Sequence, residues 1–385
     1  LAQSQDPRQA DKYPPTPLET VVPDPLLPPL TDKQQLSPQE LETLETELDN
    51  LNQAAGAKLQ TGDKVAAFEI WNRELRLRRF LGALAEVQAL SRVGAIAFNQ
   101  NDRQEVFYVT QRLQAIQQQA VSATTTDLEL WRSLGEAYQK VRSPQLALAA
   151  YNQVLATVRQ QQDTVAEVAT LKTIGELHLI WFDYPQAAAT YQELLGLATA
   201  KGDRLNEVTY LEQLAYIYAE GKEYQQTVDI LSQLAAVYVS ENNLTPLPKV
   251  KLAIASNYES LAKEKPDLLE QAFKSYQEAY TTAWELEQYV NAGEALQKLI
   301  ALYRSQGQID EALQTSQILL EAETRATNFY GMMQAYDQIG QIYLERKQYP
   351  QALTAFQKGL ELAQQIKHEE AYFAQQVAKA SPENL

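Results

Sequence analysis

The 385-residue sequence contains no cysteine, which excludes disulfides, cysteine-held zinc, iron–sulfur clusters and thiol catalysis together. Only 2 histidines are present, so imidazole metal centres have almost no donors. No uncharged apolar run occurs of the ~18 residues that a membrane-spanning helix needs. Positive charge is scarce as well, with 33 Lys and Arg against 49 Asp and Glu and a net charge of −16. Binding a polyphosphate requires a dense basic surface that releases counterions, so nucleic acid is excluded as a partner. Glycine is low at 14, and 9 of the 16 prolines fall within the first 38 residues. What remains is dominated by Ala, Leu, Gln and Glu, a helix-forming vocabulary that predicts an all-α chain.

Motifs that carry chemistry are missing too. The sequence has no P-loop, no G-x-S-x-G and no Rossmann glycine run, and each of these is how a fold presents phosphate, a nucleophile or a dinucleotide. His368 lies in "IKHEEAY" without the second histidine of a zincin motif. A non-catalytic protein with no cofactor is expected. Carboxylates cluster at Glu40, Glu42, Glu45, Glu47 and Asp49, and again at Glu369 and Glu370. They read as solvated helix faces, with a weak hard-cation site as the alternative.

The first 36 residues hold "KYPPTPLETVVPDPLLPPL", where prolines at 14, 15, 17, 23, 25, 28 and 29 remove backbone donors and fix φ. An extended polyproline-like tether is the expectation. The alternative is a strap in which Val21, Val22, Leu26, Leu27 and Leu30 lie on the helical body or on a partner. A helix then begins at "SPQE", with Ser37 as N-cap, Pro38 at the first helical position and Glu40 closing a capping box.

Beyond that point a pattern recurs. Tyr336, Ile339, Gly340, Tyr343, Ala352 and Phe356 have counterparts of matching size in Trp131, Leu134, Gly135, Tyr138, Ala147 and Tyr151. Further copies read Leu171, Ile174, Gly175, His178, Ala187, Tyr191 and Leu211, Leu214, Ala215, Tyr218, Thr227, Leu231, and the copies starting at 128, 168 and 208 are 40 residues apart. Weaker copies begin near 48, 87, 248 and 293. Positions 4, 7, 8 and 11 of a copy form one stripe of a first helix, and positions 20, 24 and 27 one stripe of a second. Small residues at 8 and 20 let the pair approach; large ones fill the space beside them. One such pair cannot bury its apolar face alone, so stacking with nearest-neighbour contacts follows. His178 takes the slot held elsewhere by tyrosine and is expected to be a packed imidazole. The copy near 248 carries about five extra residues between Tyr258 and Ala272, read as a longer turn, with a local change of superhelical pitch as the alternative.

These residues resemble the tetratricopeptide repeat family, whose unit places a large residue, leucine, a small residue and tyrosine on helix A, then alanine and an aromatic on helix B. "WRSLGEAYQKVRSPQLALAAYNQVL" is the best match, and the resemblance spans roughly residues 48–366. The 40-residue period departs from the usual unit of about 34, as in the adaptor branch that includes kinesin light chains. The resemblance implies a right-handed superhelical solenoid of about eight helix-turn-helix repeats. It is preceded by a Pro-rich segment (1–36), occupies 37–366 and is closed by a capping helix and tail (367–385).

In that family, helix A positions 2, 5, 9 and 12 face an inner groove. The resemblance places there Asn52, Phe98, Arg132, Glu136, Lys172, Glu176, Glu212, Tyr216, Gln297, Arg304, Asp337 and Gln341. This mixed polar set with a few aromatics suits an extended or helical peptide. The family's carboxylate clamp for chaperone tails is not reproduced. One basic patch stands out from the acidic chain, formed by Arg73, Arg76 and Arg79 with Arg78 and Arg92 nearby. A solvated face is the plainer reading; the functional one is docking of an acidic protein surface or anionic lipid heads.

A protein-binding scaffold, serving as an assembly or adaptor factor, is the expected function. The plan also resembles exported tetratricopeptide assembly factors of cyanobacteria, which implies a periplasmic or thylakoid-lumen location and, as an alternative, a photosystem II assembly role linked to manganese delivery. The start "LAQSQDP" fits the small-residue end of an export signal, with a cytoplasmic location as the alternative. A ligand-gated signalling regulator is a third reading, though no output domain is visible in the sequence.

Overall fold

A computed structural model describes residues 13–20, 22–27 and 36–381. The "LAQSQDP" start and the strap positions Val21 and Leu30 lie outside the described residues. Among those described, the chain forms 17 α-helices and no strand. They divide into two units, residues 1–183 and 184–385.

The first unit holds α1 (Pro38–Gln60), α2 (Lys64–Arg78), α3 (Ala83–Asn99), α4 (Arg103–Val121), α5 (Leu128–Lys140), α6 (Pro144–Gln160) and α7 (Thr164–Ile180). The second holds α8 (Tyr184–Lys201), α9 (Arg204–Glu220), α10 (Tyr224–Ser240), α11 (Leu247–Glu264) and α12 (Leu269–Glu285). It continues through α13 (Tyr289–Ser305), α14 (Ile309–Arg325), α15 (Phe329–Glu345) and α16 (Tyr349–Ile366) to α17 (Glu370–Ala380). Within each unit every helix packs on its neighbours in sequence, the connectivity of stacked helical hairpins.

Local chemistry explains where helices start. The capping box at α1 forms in full: Glu40 N–H donates to Ser37 Oγ at 3.3 Å and Ser37 N–H to Glu40 Oε2 at 2.7 Å. Asp63, Asp102, Asp163 and Asp203 each accept a backbone N–H of the helix they precede, as does Asn328. The residue before each of these caps has a left-handed backbone, from Asn101 at φ +54° to Gly62 at φ +84°. A left-handed residue followed by a capping side chain reverses the chain in the fewest steps, so hairpins repeat with little loop between them. The extra residues of the sixth copy do not all lie in a turn: they extend α11 to Glu264 and add a 3-10 turn at Pro266–Leu268.

The small-against-large register holds atom by atom. A Cβ built on Gly135 would stand 2.7 Å from the Tyr151 ring, and one on Gly340 would stand 2.5 Å from Phe356. In these two copies position 8 of helix A receives the position 24 ring of helix B, whereas Gly94 of an earlier copy receives Val109 and Val141 instead. Trp131, Leu134, Tyr138 and Ala147 are buried, as are Leu171, Ile174, Leu211, Leu214, Ala352 and Phe356. Tyr184 and Gly221 touch at their backs, a Cβ on the glycine falling 3.5 Å from the tyrosine Cβ, so position 17 is packing. A variation appears in the second unit, where the buried Glu323 carboxylate of α14 fills the hollows left by Gly293 and Gly331 and accepts a bond from Asn328 Nδ2 at 2.7 Å.

The first unit buries ions between its helices. Glu86 on α3 receives both arms of Arg112 on α4 at 2.6 and 3.0 Å. Glu74 on α2 is fully buried and binds Arg92 at 2.6 Å and Arg78 at 3.0 Å. Glu105 on α4 accepts from Asn72 Nδ2 at 3.2 Å, and burial pushes its carboxyl up to about 7, with Asp102 nearby adding to the shift. An acid whose folded-state pKa is raised holds its proton more tightly when folded, so its contribution is fully present below the unfolded value and lost as pH rises through about 7. Stability of the wild type, read by thermal or denaturant unfolding, is therefore expected to fall between pH 5 and pH 8 by on the order of 3 kcal/mol at this site. Glu105→Gln, which keeps the bond from Asn72 and cannot ionise, should flatten that part of the profile.

Candidate functional site

The first helices of successive pairs carry the side chains expected on an inner face. In the first unit, Phe98 on α3 and Glu136 on α5 come together around one open cavity of about 500 Å³. Ala95, Asn99, Gln139, Lys140 and Arg142 complete the lining. Phe98 remains 39% exposed although its ring is large, and the Arg142 guanidinium sits 5.4 Å from the ring centre, a cation–π contact. The cavity thus offers an aromatic floor, one carboxylate and two cationic side chains, enough to seat an apolar side chain of a peptide and to hold its backbone by hydrogen bonds. Gln139 stands at position 12 of its copy and follows from the same spacing as Phe98. Arg142 has its backbone at φ +57° in the turn after α5, where helical periodicity carries no signal.

The remaining expected positions divide. Arg132 and Lys172 are half-buried and Glu176 is exposed on the first helices of the first unit. Asn52 turns inward instead, accepting from Trp71 Nε1 at 2.9 Å and from Arg92, so it serves the α1–α3 core. In the second unit Tyr216 is 53% exposed, while Glu212 accepts from Tyr238 Oη at 2.7 Å. Gln297 is half-buried, and Arg304 reaches Glu345 at 2.5 Å. Asp337 and Gln341 are covered by α17: Tyr372 Oη donates to Asp337 at 3.0 Å, and Gln341 Nε2 donates to Tyr372 at 3.2 Å and to Gln376 at 3.3 Å. Burial pushes the Asp337 carboxyl up against these bonds. The terminal helix therefore takes the place that a next repeat would occupy, leaving a smaller hollow of about 310 Å³ lined by Gln334, Asp337, Glu369, Tyr372 and Phe373.

The basic patch is engaged by the chain itself. Residues 13–20 and 22–27 lie on the first unit, with a 3-10 turn at Pro17–Glu19 set against α2 and α4. Arg73 grips Asp24 with two bonds of 2.7 and 2.8 Å, and that grip holds the Asp24 carboxyl below its ordinary range. Arg76 donates to the Pro17 carbonyl at 2.8 Å and Arg79 to the Leu18 carbonyl at 2.7 Å. Burial draws the Arg76 pKa down. From α4, Tyr108 Oη donates to the Pro14 carbonyl at 2.9 Å and Arg112 reaches Glu19 at 3.2 Å. Leu18 is 1% exposed, Tyr13 meets the Phe107 ring at 5.2 Å, and Leu26 and Leu27 pack on Leu44, Leu48 and Leu77. Over these residues the segment is a strap, and its deepest anchor, Leu18, was not among the strap residues expected from the sequence.

Histidine and carboxylate chemistry stays thin. His178 is half-buried with Nδ1 3.6 Å from Asp183, and burial lowers its pKa, which favours the neutral ring. His368 lies beside Glu369 and the Tyr330 ring. Among the described residues, no group of three or more His, Asp or Glu could hold a metal ion. The carboxylates of α1 point outward, Asp49 pairing with Arg78 at 2.5 Å. No helix among the described residues is long and apolar enough to cross a membrane.

No family model and no curated protein matches this chain, so the likeness to exported cyanobacterial assembly factors gains no support. Among solved structures, repeat proteins give low-scoring similarities. The C-terminal part of a TPR repeat-containing protein from Cytophaga hutchinsonii is 14% identical with a TM-score of 0.39, covering 71% of this chain and 95% of that one. A kinesin light chain-like protein with TPR-like repeats from Podospora anserina is 13% identical with a TM-score of 0.31, covering 62% and 96%. A Rap protein solved with competence and sporulation factor is 11% identical with a TM-score of 0.32, covering 87% and 97%. The register of Gly135 on Tyr151 and of Gly340 on Phe356, repeated through stacked helical hairpins, makes this chain tetratricopeptide-like in fold.

Proposed function

We propose that the chain is a non-catalytic protein-binding scaffold that holds a peptide or a partner subunit on the inner face of its first helices, in an assembly or adaptor role. The observation that supports this most is the cavity beneath Phe98, where residues from α3 and α5 converge without closing over the aromatic ring. Exposed aromatics flanked by adaptable polar groups are the usual anchors of peptide recognition. With a net charge of −16, the scaffold favours partners whose contacting segment is neutral or basic outside that cavity.

Phe98→Ala is expected to weaken partner binding about tenfold, read by isothermal titration or anisotropy, with unchanged helical circular dichroism. Charge reversal at Arg132 and Lys172 should weaken it further. Binding that survives all three substitutions would place the partner elsewhere.

A further inference from the structure

The strap contacts have the form of ligand recognition. Two of the arginines on α2 and its C-terminal turn donate to main-chain carbonyls, at Pro17 and Leu18, and a third takes the Asp24 carboxylate in a bidentate fork. From α4, Tyr108 takes the carbonyl of Pro14 and Arg112 the carboxylate of Glu19. One side chain, Leu18, is sunk between the helices. Bidentate forks and donors to carbonyls read an extended backbone and its acids. The segment from Tyr13 to Leu27 has prolines at 14, 15, 17, 23 and 25 and no lysine or arginine. Proline stiffening lowers the entropy lost on docking, and the acids complement the arginines in a chain that is otherwise strongly negative.

We propose that the surface formed by Arg73, Arg76, Arg79, Tyr108 and Arg112 is a peptide-recognition site for a partner's extended, acidic, proline-bracketed segment with a leucine anchor, and that residues 13–20 and 22–27 occupy it in cis. This surface lies on the second helices, apart from the cavity of Phe98, and the proposal stands whether or not that cavity binds a partner. A covalently attached segment acts at an effective concentration on the order of millimolar. A free competitor therefore gains the site only when the strap is weakened or when the partner adds contacts of its own.

The test uses the full chain with Leu18→Ala and Asp24→Asn in its strap, and a fluorescent peptide with the native sequence of residues 13–27. Saturable binding is expected by anisotropy, at least about tenfold weaker on the wild-type chain, whose own strap competes, and at least about tenfold weaker when Arg73→Ala and Arg79→Ala are added. A second peptide that keeps only Pro14, Pro17, Leu18, Glu19 and Asp24 in a neutral background should bind within about tenfold of the first, whereas a scrambled peptide should not. Should the double variant lose its helical circular dichroism, Asp24→Asn alone gives the same comparison with Leu18 in place. The proposal is overturned by absent binding to the weakened-strap chain, by binding indifferent to the arginines, by equal binding to wild type, or by failure of the reduced peptide. A mass in light scattering that doubles in the weakened-strap chain and returns on adding peptide would assign the site to a second copy of this chain and overturn the partner reading.

Discussion

Gly340→Leu should lower the stability of the second unit by about 1–3 kcal/mol, seen as a lower denaturant midpoint with an unchanged slope. Two effects oppose each other. Leucine is the better helix former by about 0.8 kcal/mol, but a Cβ at this position already falls 2.5 Å from the Phe356 ring, which is itself fully buried. The ring cannot yield without leaving its well, so overpacking wins. Pairing Gly340→Ala with Phe356→Leu should recover part of the loss, because the double change conserves volume across the contact. Gly56→Ala on α1 is the control: nothing lies within 4 Å of its Cβ position, and it should stabilise by about 0.5–1 kcal/mol. Equal effects at the two glycines would show that the repeat register is not what holds the pairs together.

The second large effect is expected at Arg112. Its side chain is 12% exposed and Glu86 is 4% exposed, with both arms of the fork made between α3 and α4. Among the described residues, Arg112→Met leaves the Glu86 carboxylate buried with Arg79 as its remaining cation, at 3.9 Å. Removing one member of a buried ion pair costs about 3–5 kcal/mol, whereas replacing both with apolar groups of similar size is often neutral. The Arg112→Met, Glu86→Leu double variant should therefore be markedly more stable than Arg112→Met alone in chemical denaturation. Arg112→Met also cuts the strap's contact at Glu19, so residues 13–20 should gain amide hydrogen exchange in that variant. A double variant no better than the single would mean that the fork is not the source of the loss.

Most of the fold was legible because it is written in side-chain volume at fixed spacing. Glycine at 135 and 340 with rings 16 residues later states a helix contact directly, and both contacts form. The capping box at Ser37 was legible for a similar reason, since its bonds span neighbouring residues. The strap was legible only as an alternative, through Leu26 and Leu27, and its polar contacts were not, because they join residues far apart through main-chain carbonyls, as Tyr108 does with Pro14, and a carbonyl has no signature in sequence. Arginines 73, 76 and 79 were visible as a patch, but nothing along the chain states that Asp24 and the Pro17 carbonyl meet them. The first-helix positions were legible by spacing, and their use was not. Spacing brought Phe98 and Glu136 to one cavity, yet the same rule selected Asn52, taken up by Trp71, and Asp337, taken up by Tyr372. Whether a first-helix side chain stays free depends on the long neighbours that bend over it, which no repeat pattern encodes.

Partners held on the first-helix face around Phe98 should be within reach of a crosslinker placed there. A photo-crosslinking amino acid placed at position 98, and for comparison at the outward position of Val65, which is 72% exposed, tests this directly. A discrete crosslinked partner is expected from position 98, diminished by Glu136→Ala, and none from position 65; equal capture from both positions, or capture from 65 alone, would mean that partners bind elsewhere.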